Sequence, residues 1–208
     1  IPEQKLLAAG IRHLVSYHTC ADYDNSENVE FYCGKIKTIQ ALEVEVLKEI
    51  DRICQAHGIQ YFLAGGTLLG AVRQGGSIPW DDDLDIEMMR EDYDRLMDVL
   101  PGELPSTMAL QTHETDPTYF FYYAKVRDRR SILAEGNNYD RMWKEQGIYI
   151  DIFPLERQPL CIHKISENTV GHMYKIWRTC TDDKVGIKKV MRWFRFNRRF
   201  VFPVLRLL

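Results

Sequence analysis

The chain has 208 residues, of which 45% are hydrophobic and 27% charged, which is typical of a globular domain with a sizeable core and excludes an intrinsically disordered protein. No apolar run approaches the roughly 20 residues of a membrane-spanning helix, and we expect no secretory signal because the first residues lack a basic and then an apolar region. The net charge of −3 combines an acidic body with a basic tail, and the acidic body excludes nucleic acid as the main partner.

The cysteines favour a reducing compartment. Five occur, widely spaced and without a C-x-x-C pair, so we expect neither a disulfide framework nor a zinc ribbon. His13, His18, Cys20 and Cys33 have spacings that fit no usual zinc pattern. These features predict a cytoplasmic protein.

Hydrophobic periodicity predicts alternating helices and strands. Apolar residues at steps of three and four indicate helices, and apolar–polar alternation indicates strands. Gly58 is placed to end the first helix, and Pro101 the third. Residues 1–34 show little periodicity and include a predicted loop at 21–30. The predicted elements then follow in the order helix 35–57, strand 59–66, helix 67–74, strand 81–89, helix 91–100, strands 119–128 and 147–153, helix 162–180 and a helical tail 184–208. This order predicts an α/β (α+β) fold, a small mixed sheet flanked by helices.

The stretch PWDDDLDIEM combines acidic residues with a hydrophobic pattern. On a strand, Asp81, Asp83 and Asp85 share one face, while Leu84 and Ile86 point into a core. Like charges on one face raise each other's pKa unless a cation neutralises them. Carboxylates are hard oxygen ligands, which favour Mg²⁺ or Mn²⁺ with substrate phosphate completing the shell. We therefore predict a metal site here, in preference to a solvated acidic loop.

A glycine turn precedes the acidic stretch. Gly65 and Gly66 follow an apolar strand and lead into a predicted helix, where backbone N–H groups can approach a phosphate. Thr67 would add a hydroxyl donor. Taken alone, the glycines indicate only a tight turn, and it is the acidic stretch downstream that favours a phosphate site.

A third feature is the acid within GIYIDIF. Asp151 shares a strand face with Tyr149 and Phe153, opposite Ile150 and Ile152. An acid among β-formers is costly to bury unless it is paired or bound to metal. Asp151 is therefore a candidate third metal ligand, or the base that takes a proton from an acceptor hydroxyl. The structural alternative is a salt-bridged acid at a strand end.

Basic and aromatic residues supply further candidates. Lys125 and Arg127 alternate on one strand and so reach one face, which would clamp phosphate or be a solvated surface. Arg73, after the glycine turn, is a similar candidate. Trp80 would stack on a base or a choline head group, or pack within its loop. The residues alone leave these alternatives open.

These motifs resemble the LicD family. YFLAGGTLLGAVRQGGSIPWDDDLDIEM, followed by GIYIDIFPLE, is similar to a family that includes bacterial phosphorylcholine transferases and is related to fukutin-related ribitol-phosphate transferases. The resemblance covers roughly residues 35–160 and implies one nucleotidyltransferase-like domain over 1–208. Carried over by motif, the D-x-D metal pair is Asp83 and Asp85, the preceding acid Asp81, the third carboxylate Asp151, and the phosphate turn Gly65, Gly66 and Thr67.

The resemblance also implies a reaction. A CDP-alcohol donor would give its phospho-alcohol to a sugar hydroxyl of a glycan, such as teichoic acid, lipopolysaccharide or a lipid-linked precursor, with release of CMP. Two alternatives remain: a glycosyltransferase that uses D-x-D to hold a nucleotide-sugar, and a non-enzymatic calcium-binding or acidic module. The glycine turn and Asp151 disfavour the first, and the lack of an EF-hand loop disfavours the second.

The composition of the C-terminal tail suggests that it contacts a membrane surface. Residues 184–208 carry eight basic, no acidic and five aromatic residues. Basic residues interleaved with aromatics suit a helix that lies in an anionic membrane interface. The alternative is that the aromatic face packs on the protein's own acidic body. The resemblance to enzymes of lipid-linked glycans makes contact with the inner face of the membrane an expectation.

Overall fold

The computed structural model describes residues 13–16, 26–134, 143–157, 159–179 and 183–207. The chain forms two compact units, Ile1–Leu155 and Glu156–Leu208. The first contains a sheet with helices, and the second is helical. The expectation of one domain over 1–208 stays a prediction.

The first unit contains three described helices and seven described strands. The helices are α1 (Ser26–His57), α2 (Gly65–Gln74) and α3 (Arg90–Glu103). The strands are β1 (His13–Ser16), β2 (Phe62–Leu63), β3 (Asp85–Met89), β4 (Met108–Gln111), β5 (Ala124–Asp128), β6 (Ser131–Ala134) and β7 (Tyr149–Leu155).

The main sheet is mixed, as the sequence predicted. Its five strands follow the order β2-β3-β7-β5-β4, and β1 pairs with β6 in a separate parallel sheet. Strands β3 and β7 are parallel, whereas the other neighbours in the main sheet are antiparallel. The central β7 therefore has β3 on one side and β5 on the other.

The core lies between one face of this sheet and helices α1 and α3. Ile86 of β3 and Ile150 and Ile152 of β7 have no exposed surface. They pack in one cluster with residues of both helices, which include Val46, Ile50, Leu96 and Leu100. Each such buried side chain contributes about 1.5–3 kcal/mol to folding. Since side chains alternate along a strand, the residues between these isoleucines point to the opposite face.

The ends of two helices test two sequence predictions. Gly58 follows α1 with φ 60°, and the Ile59 N–H donates to the Cys54 carbonyl at 2.9 Å, which confirms it as the residue that ends the helix. Pro101 does not end α3, which continues to Glu103. The missing N–H of a proline removes only one helical hydrogen bond, and the final turn tolerates that loss.

Three of the predicted strands are shorter in the structure, whereas β7 keeps the predicted seven residues but is shifted from 147–153 to Tyr149–Leu155. The acidic strand starts at Asp85 rather than Asp81. Its pairing with β7 begins at Asp85, next to the hydrogen bond from the Asp151 N–H to the Leu84 carbonyl, so the acids before Leu84 lie outside the sheet. The strands predicted at 59–66 and 119–128 shrink to β2 and β5. The short strands β1, β4 and β6 were not predicted. Four residues give too little alternation to detect.

Helix α1 begins at Ser26, nine residues before the predicted start at Lys35. Residues 26–30 are thus helical rather than part of a loop. The rest of that predicted loop, 21–25, lies outside the described residues. The sequence predicted too late a start for this helix because its first turns are polar and the apolar periodicity becomes clear only from Ile36 onward.

The second unit is helical, in agreement with the predictions for 162–180 and for the described part of the tail. It contains α4 (Leu160–Thr179), α5 (Asp183–Phe196), a π-helical segment (Asn197–Val201) and α6 (Phe202–Leu207). Among the helices described, none combines the length and the apolar character needed to cross a membrane.

Candidate metal and phosphate site

An acidic loop precedes β3. Asp81, Asp82 and Asp83 each place a carboxylate oxygen within 4.8 Å of the other two. The Asp81 N–H donates to the Ile78 carbonyl at 3.0 Å. Gln40 of α1 donates its side-chain amide to the carbonyls of Ile78 and Asp81, at 2.8 and 2.7 Å. A local turn and a side chain from α1 therefore hold the acidic loop in place.

Two further acids lie side by side at the centre of the sheet. Asp85 of β3 pairs in register with Asp151 of β7, and Asp151 pairs in register with Lys125 of β5. The Lys125 ammonium donates to Asp151 Oδ1 in an ion pair. Asp151 is 9% exposed and Lys125 3%. The three charged groups thus cross three neighbouring strands on the face opposite the core.

The acids of β3 and its preceding loop are hard to ionise. Burial, followed by the charges of Asp85 and Asp81, raises the pKa of Asp83 to about 7. Burial, followed by the charge of Asp151, raises the pKa of Asp85 to about 6, although Lys125 acts in the opposite direction. A divalent cation would offset this repulsion, and convergent carboxylate oxygens are the ligands that Mg²⁺ and Mn²⁺ prefer. The donor set therefore fits such a cation.

The composition of the acidic group differs from the sequence prediction. The sequence placed Asp81, Asp83 and Asp85 on one strand face, but the first two precede the strand. Instead Asp82 joins Asp81 and Asp83 in the loop. Among the side chains that the structure describes, no other group of three His, Cys, Asp or Glu residues converges in this way. The side chains of the zinc alternative, His13, His18, Cys20 and Cys33, lie outside the described part.

The glycine turn packs directly against these acids. Gly65 has φ +51°, a conformation that disfavours other residues, and a Cβ on Gly66 would lie 2.4 Å from Asp81 Oδ2. The Thr67 hydroxyl oxygen accepts the Asp85 N–H at 2.9 Å, which leaves the hydroxyl proton to donate elsewhere. The N-terminus of α2 thus packs against the acidic loop, and any side chain at position 66 would displace the Asp81 side chain.

The two basic residues of β5 reach one face, as predicted, but that face is covered. Lys125 and Arg127 are 3% and 2% exposed, so the alternative of a solvated strand face is wrong. Both cations lie over the ring of Tyr149, whose centroid is 3.3 Å from Lys125 Nζ and 4.5 Å from Arg127 Cζ. Arg127 also donates to the Gln111 side chain and to the Gly147 carbonyl. Its role here is internal, whereas Lys125 belongs to the site through Asp151.

The remaining candidates are exposed. Arg73 is in the last turn of α2, and a rise of 1.5 Å per residue puts it about 12 Å along the helix axis from Gly65. Arg73 thus lies at the opposite end of α2 from the glycine turn, and its role toward phosphate stays a prediction. Trp80 is 73% exposed, which argues against packing within the loop and leaves stacking on a ligand as a prediction.

The sequence interpretation missed one residue, Glu43 of α1. It is 3% exposed, and burial, followed by the charge of Asp83, raises the pKa of its carboxyl to about 9. A signal existed, because Glu43 falls at helical spacing within the apolar stripe of Ile39, Val46 and Ile50. A charged residue on the buried face of an amphipathic helix marks a candidate for function.

The raised pKa values predict how stability depends on pH without metal. Between about pH 4 and 7 the folded chain holds protons on Asp83 and Asp85 that the unfolded chain has released, since both start from 3.8. Their contribution is therefore complete below about pH 4 and is lost as the pH rises through 6 and 7. In EDTA, we expect an Asp83→Asn/Asp85→Asn variant to gain melting temperature relative to wild type over this interval. A relative loss would contradict the prediction.

Three relatives are similar to parts of the chain. Lipopolysaccharide cholinephosphotransferase LicD of Haemophilus influenzae is 32% identical over 121 residues, 58% of this chain and 44% of that protein. The uncharacterized protein RP689 of Rickettsia prowazekii is 39% identical over 92 residues, 44% of this chain and 32% of that protein. The human ribitol 5-phosphate transferase FKRP is 44% identical over 48 residues, 23% of this chain and 10% of that protein. The chain thus spans less than half the length of these relatives.

The family comparison covers more of the chain than these alignments. Residues 58–207 match the family described as "LicD/FKTN/FKRP, nucleotidyltransferase domain". The match includes the glycine turn, the acidic loop, β3, β5 and β7, and it extends well past residue 160, where the recognisable motifs end. Because it spans most of the chain, the protein belongs to the LicD/FKTN/FKRP nucleotidyltransferase-domain family.

Proposed function

We propose that the protein is a metal-dependent transferase that moves a phospho-alcohol, such as phosphocholine or a polyol phosphate, from a CDP-activated donor to a sugar hydroxyl of a cell-surface glycan or its precursor. The names of two relatives, a cholinephosphotransferase and a ribitol 5-phosphate transferase, share the transfer of a phosphorylated alcohol. The observation that carries the proposal is the pairing of Asp85 with Asp151 beside the acidic loop.

The cation would be held by Asp83 and Asp85, with Asp81 and Asp151 as further ligands. When bound, Mg²⁺ or Mn²⁺ would neutralise charge on the donor diphosphate and on the departing CMP. Phosphoryl transfer needs little covalent help from protein, so positioning and charge stabilisation by these residues would account for most of the catalysis.

The start of α2 would bind the donor phosphates. Gly65 and Gly66 expose backbone N–H groups at a helix N-terminus, where the helix dipole favours an anion. The missing side chain at Gly66 leaves room next to Asp81. Thr67 fixes the turn to β3 through the Asp85 N–H. The turn would thus hold phosphate at the place where the carboxylates hold the cation.

Asp151 would either ligate the cation or take the proton of the acceptor hydroxyl. Both roles need an ionised carboxylate, and the ammonium of Lys125 favours that form. The same ion pair fixes the position of Asp151, because both side chains are buried. Lys125 thereby acts on the reaction through Asp151.

A donor screen tests this proposal. Incubation of the protein with Mg²⁺ or Mn²⁺ and CDP-choline, CDP-ribitol or CDP-glycerol should release CMP from at least one donor, and mass spectrometry measures it. UDP- and GDP-sugars in parallel reactions test the glycosyltransferase alternative. Release of UDP or GDP instead of CMP would contradict the proposal. Binding of the metal without binding of any nucleotide would favour a non-enzymatic module.

We also propose that the tail places the enzyme on an anionic membrane surface. Trp193, Phe196, Phe200 and Val204 are 40–56% exposed and recur at steps of three and four on one side of the helical tail. The three aromatic rings among them are in contact, with centroids 6.0 Å apart between Trp193 and Phe196 and 5.4 Å between Phe196 and Phe200. Val190 is instead buried. The exposed aromatic stripe thus differs from the face on which the tail packs.

Vesicle sedimentation tests the tail. At low salt, the full chain should sediment with phosphatidylglycerol vesicles but not with phosphatidylcholine vesicles, since each Lys or Arg near an anionic surface contributes about 1 kcal/mol. Salt should weaken this binding by screening. A Phe196→Ser/Phe200→Ser variant should lose it, whereas Trp80→Ser, which removes an exposed aromatic far from the tail in sequence, should not. Equal sedimentation of the wild type and the double variant would overturn the proposal.

A further inference from the structure

Glu43 is a buried acid without a partner among the described residues. Its relative exposure is 3%, and no described residue donates a hydrogen bond or forms an ion pair with it. Its neighbours on α1 that point the same way, Ile39 and Val46, are fully packed. A carboxyl buried this deeply loses most of its hydration, and no described donor replaces it. Packing alone would be better served by Leu at this position.

The surroundings of Glu43 make this burial more unfavourable. Asp83 exerts the largest charge effect on its carboxyl, followed by Asp82, Asp81 and Asp85. Gln40, which precedes Glu43 by less than one helical turn, bonds the carbonyl of Asp81 and so holds the acidic loop against this part of α1. The Glu43 carboxyl therefore lies near a concentration of like charge, which either a proton or a bound cation can offset.

We propose that Glu43 is a further carboxylate of the divalent-cation site, supplied by α1. The inference rests on the cation site of the proposed function and adds a residue that precedes the matched family region, which begins at residue 58. The site then draws carboxylates from α1, from the acidic loop with β3, and from β7. A cation bound there would tie α1 to the loop and the sheet.

Manganese binding to the metal-free full chain tests the inference. Calorimetry with MnCl₂ alone should show that Glu43→Gln weakens binding by about tenfold or more, the effect of losing a group that supports a metal site. Glu45→Gln on the same helix is the matched control, since Glu45 is exposed and pairs with Arg130 at the surface. It should bind Mn²⁺ as wild type does. Asp83→Asn should lose binding altogether.

Thermal unfolding separates a cation ligand from a structural residue. Without metal, Glu43→Gln should melt at the wild-type temperature or above it, because it removes a buried acid from like charges. With saturating MnCl₂, it should gain less melting temperature than wild type. Wild-type Mn²⁺ affinity in Glu43→Gln would overturn the inference, and so would a lower melting temperature in EDTA. These measurements use no nucleotide, so either of these two results would reject the role of Glu43 and leave the CMP-release test of the proposed function unaffected. Wild-type Mn²⁺ affinity in Asp83→Asn would instead contradict the cation site of the proposed function.

Discussion

Asp83→Asn and Asp85→Asn should each lower CMP release by roughly 10²- to 10³-fold or more while leaving the fold intact. Such losses are typical when one group that stabilises transition-state charge is removed. The fold should survive because each change removes a charge from a crowded acidic region, in which burial and the neighbouring acids raise the pKa of both carboxyls. CMP release should therefore fall while the melting temperature does not, whereas a mutation that unfolds the protein would lower both.

Two controls make this experiment specific. Asp94→Asn removes an exposed acid of α3 whose side chain bonds Arg90, and it should leave turnover unchanged. Asp82→Asn distinguishes the two descriptions of the site, because Asp82 belongs to the acidic loop but not to the strand face that the sequence predicted. A loss of turnover in Asp82→Asn would favour the loop. Wild-type turnover that persists in excess EDTA would contradict metal dependence.

Asp151→Asn should lose both stability and turnover. Lys125 is 3% exposed, and the change leaves its ammonium without the carboxylate that compensates it. Removal of one partner from a buried pair costs about 3–5 kcal/mol. Urea denaturation measures this loss. Glu45→Gln, which breaks the exposed pair with Arg130, should cost at most about 1 kcal/mol. Equal losses in the free energy of unfolding for the two variants would mean that the Lys125–Asp151 pair is effectively solvated.

A double variant separates the two effects of Asp151. Lys125→Met/Asp151→Leu replaces the buried pair with apolar groups, and such replacements are often neutral or stabilising. We expect it to recover the stability that Asp151→Asn loses but not the turnover. Nucleotide affinity by calorimetry then assigns the role. Asp151→Asn should weaken donor binding less than Asp83→Asn does, and equal losses would make Asp151 a metal ligand alone.

Local patterns predicted the parts of the fold that depend on burial along one element. Alternation in β7 placed Ile150 and Ile152 in the core and Asp151 on the other face, as the structure has them. The helical spacing in α1 predicted its buried stripe, and Gly58 its end. These predictions succeed because the periods of helix and strand bring residues close in sequence to one face.

The same local rules failed where hydrogen bonding decides the outcome. Alternation alone extended β3 back to Asp81, but the ladder with β7 begins at Asp85. Asp81 and Asp83 are instead placed by the loop that Gln40 holds. Pro101 lies within α3 because a helix can lose one bond in its last turn. A pattern records which side chains prefer burial and does not record which backbone groups are paired.

The sequence by itself determined the acids, the glycine turn and the family to which they point. Only the tertiary structure decided which of these groups meet. The parallel register of β3 and β7 sets Asp85 beside Asp151, and the antiparallel register of β5 sets Lys125 against Asp151. The packing of α1 buries Glu43 on the helix whose Gln40 bonds the acidic loop. Strand periodicity assigns each residue a face, but it contains no information about its partner on another strand. That partner follows from pairing between segments far apart in the chain.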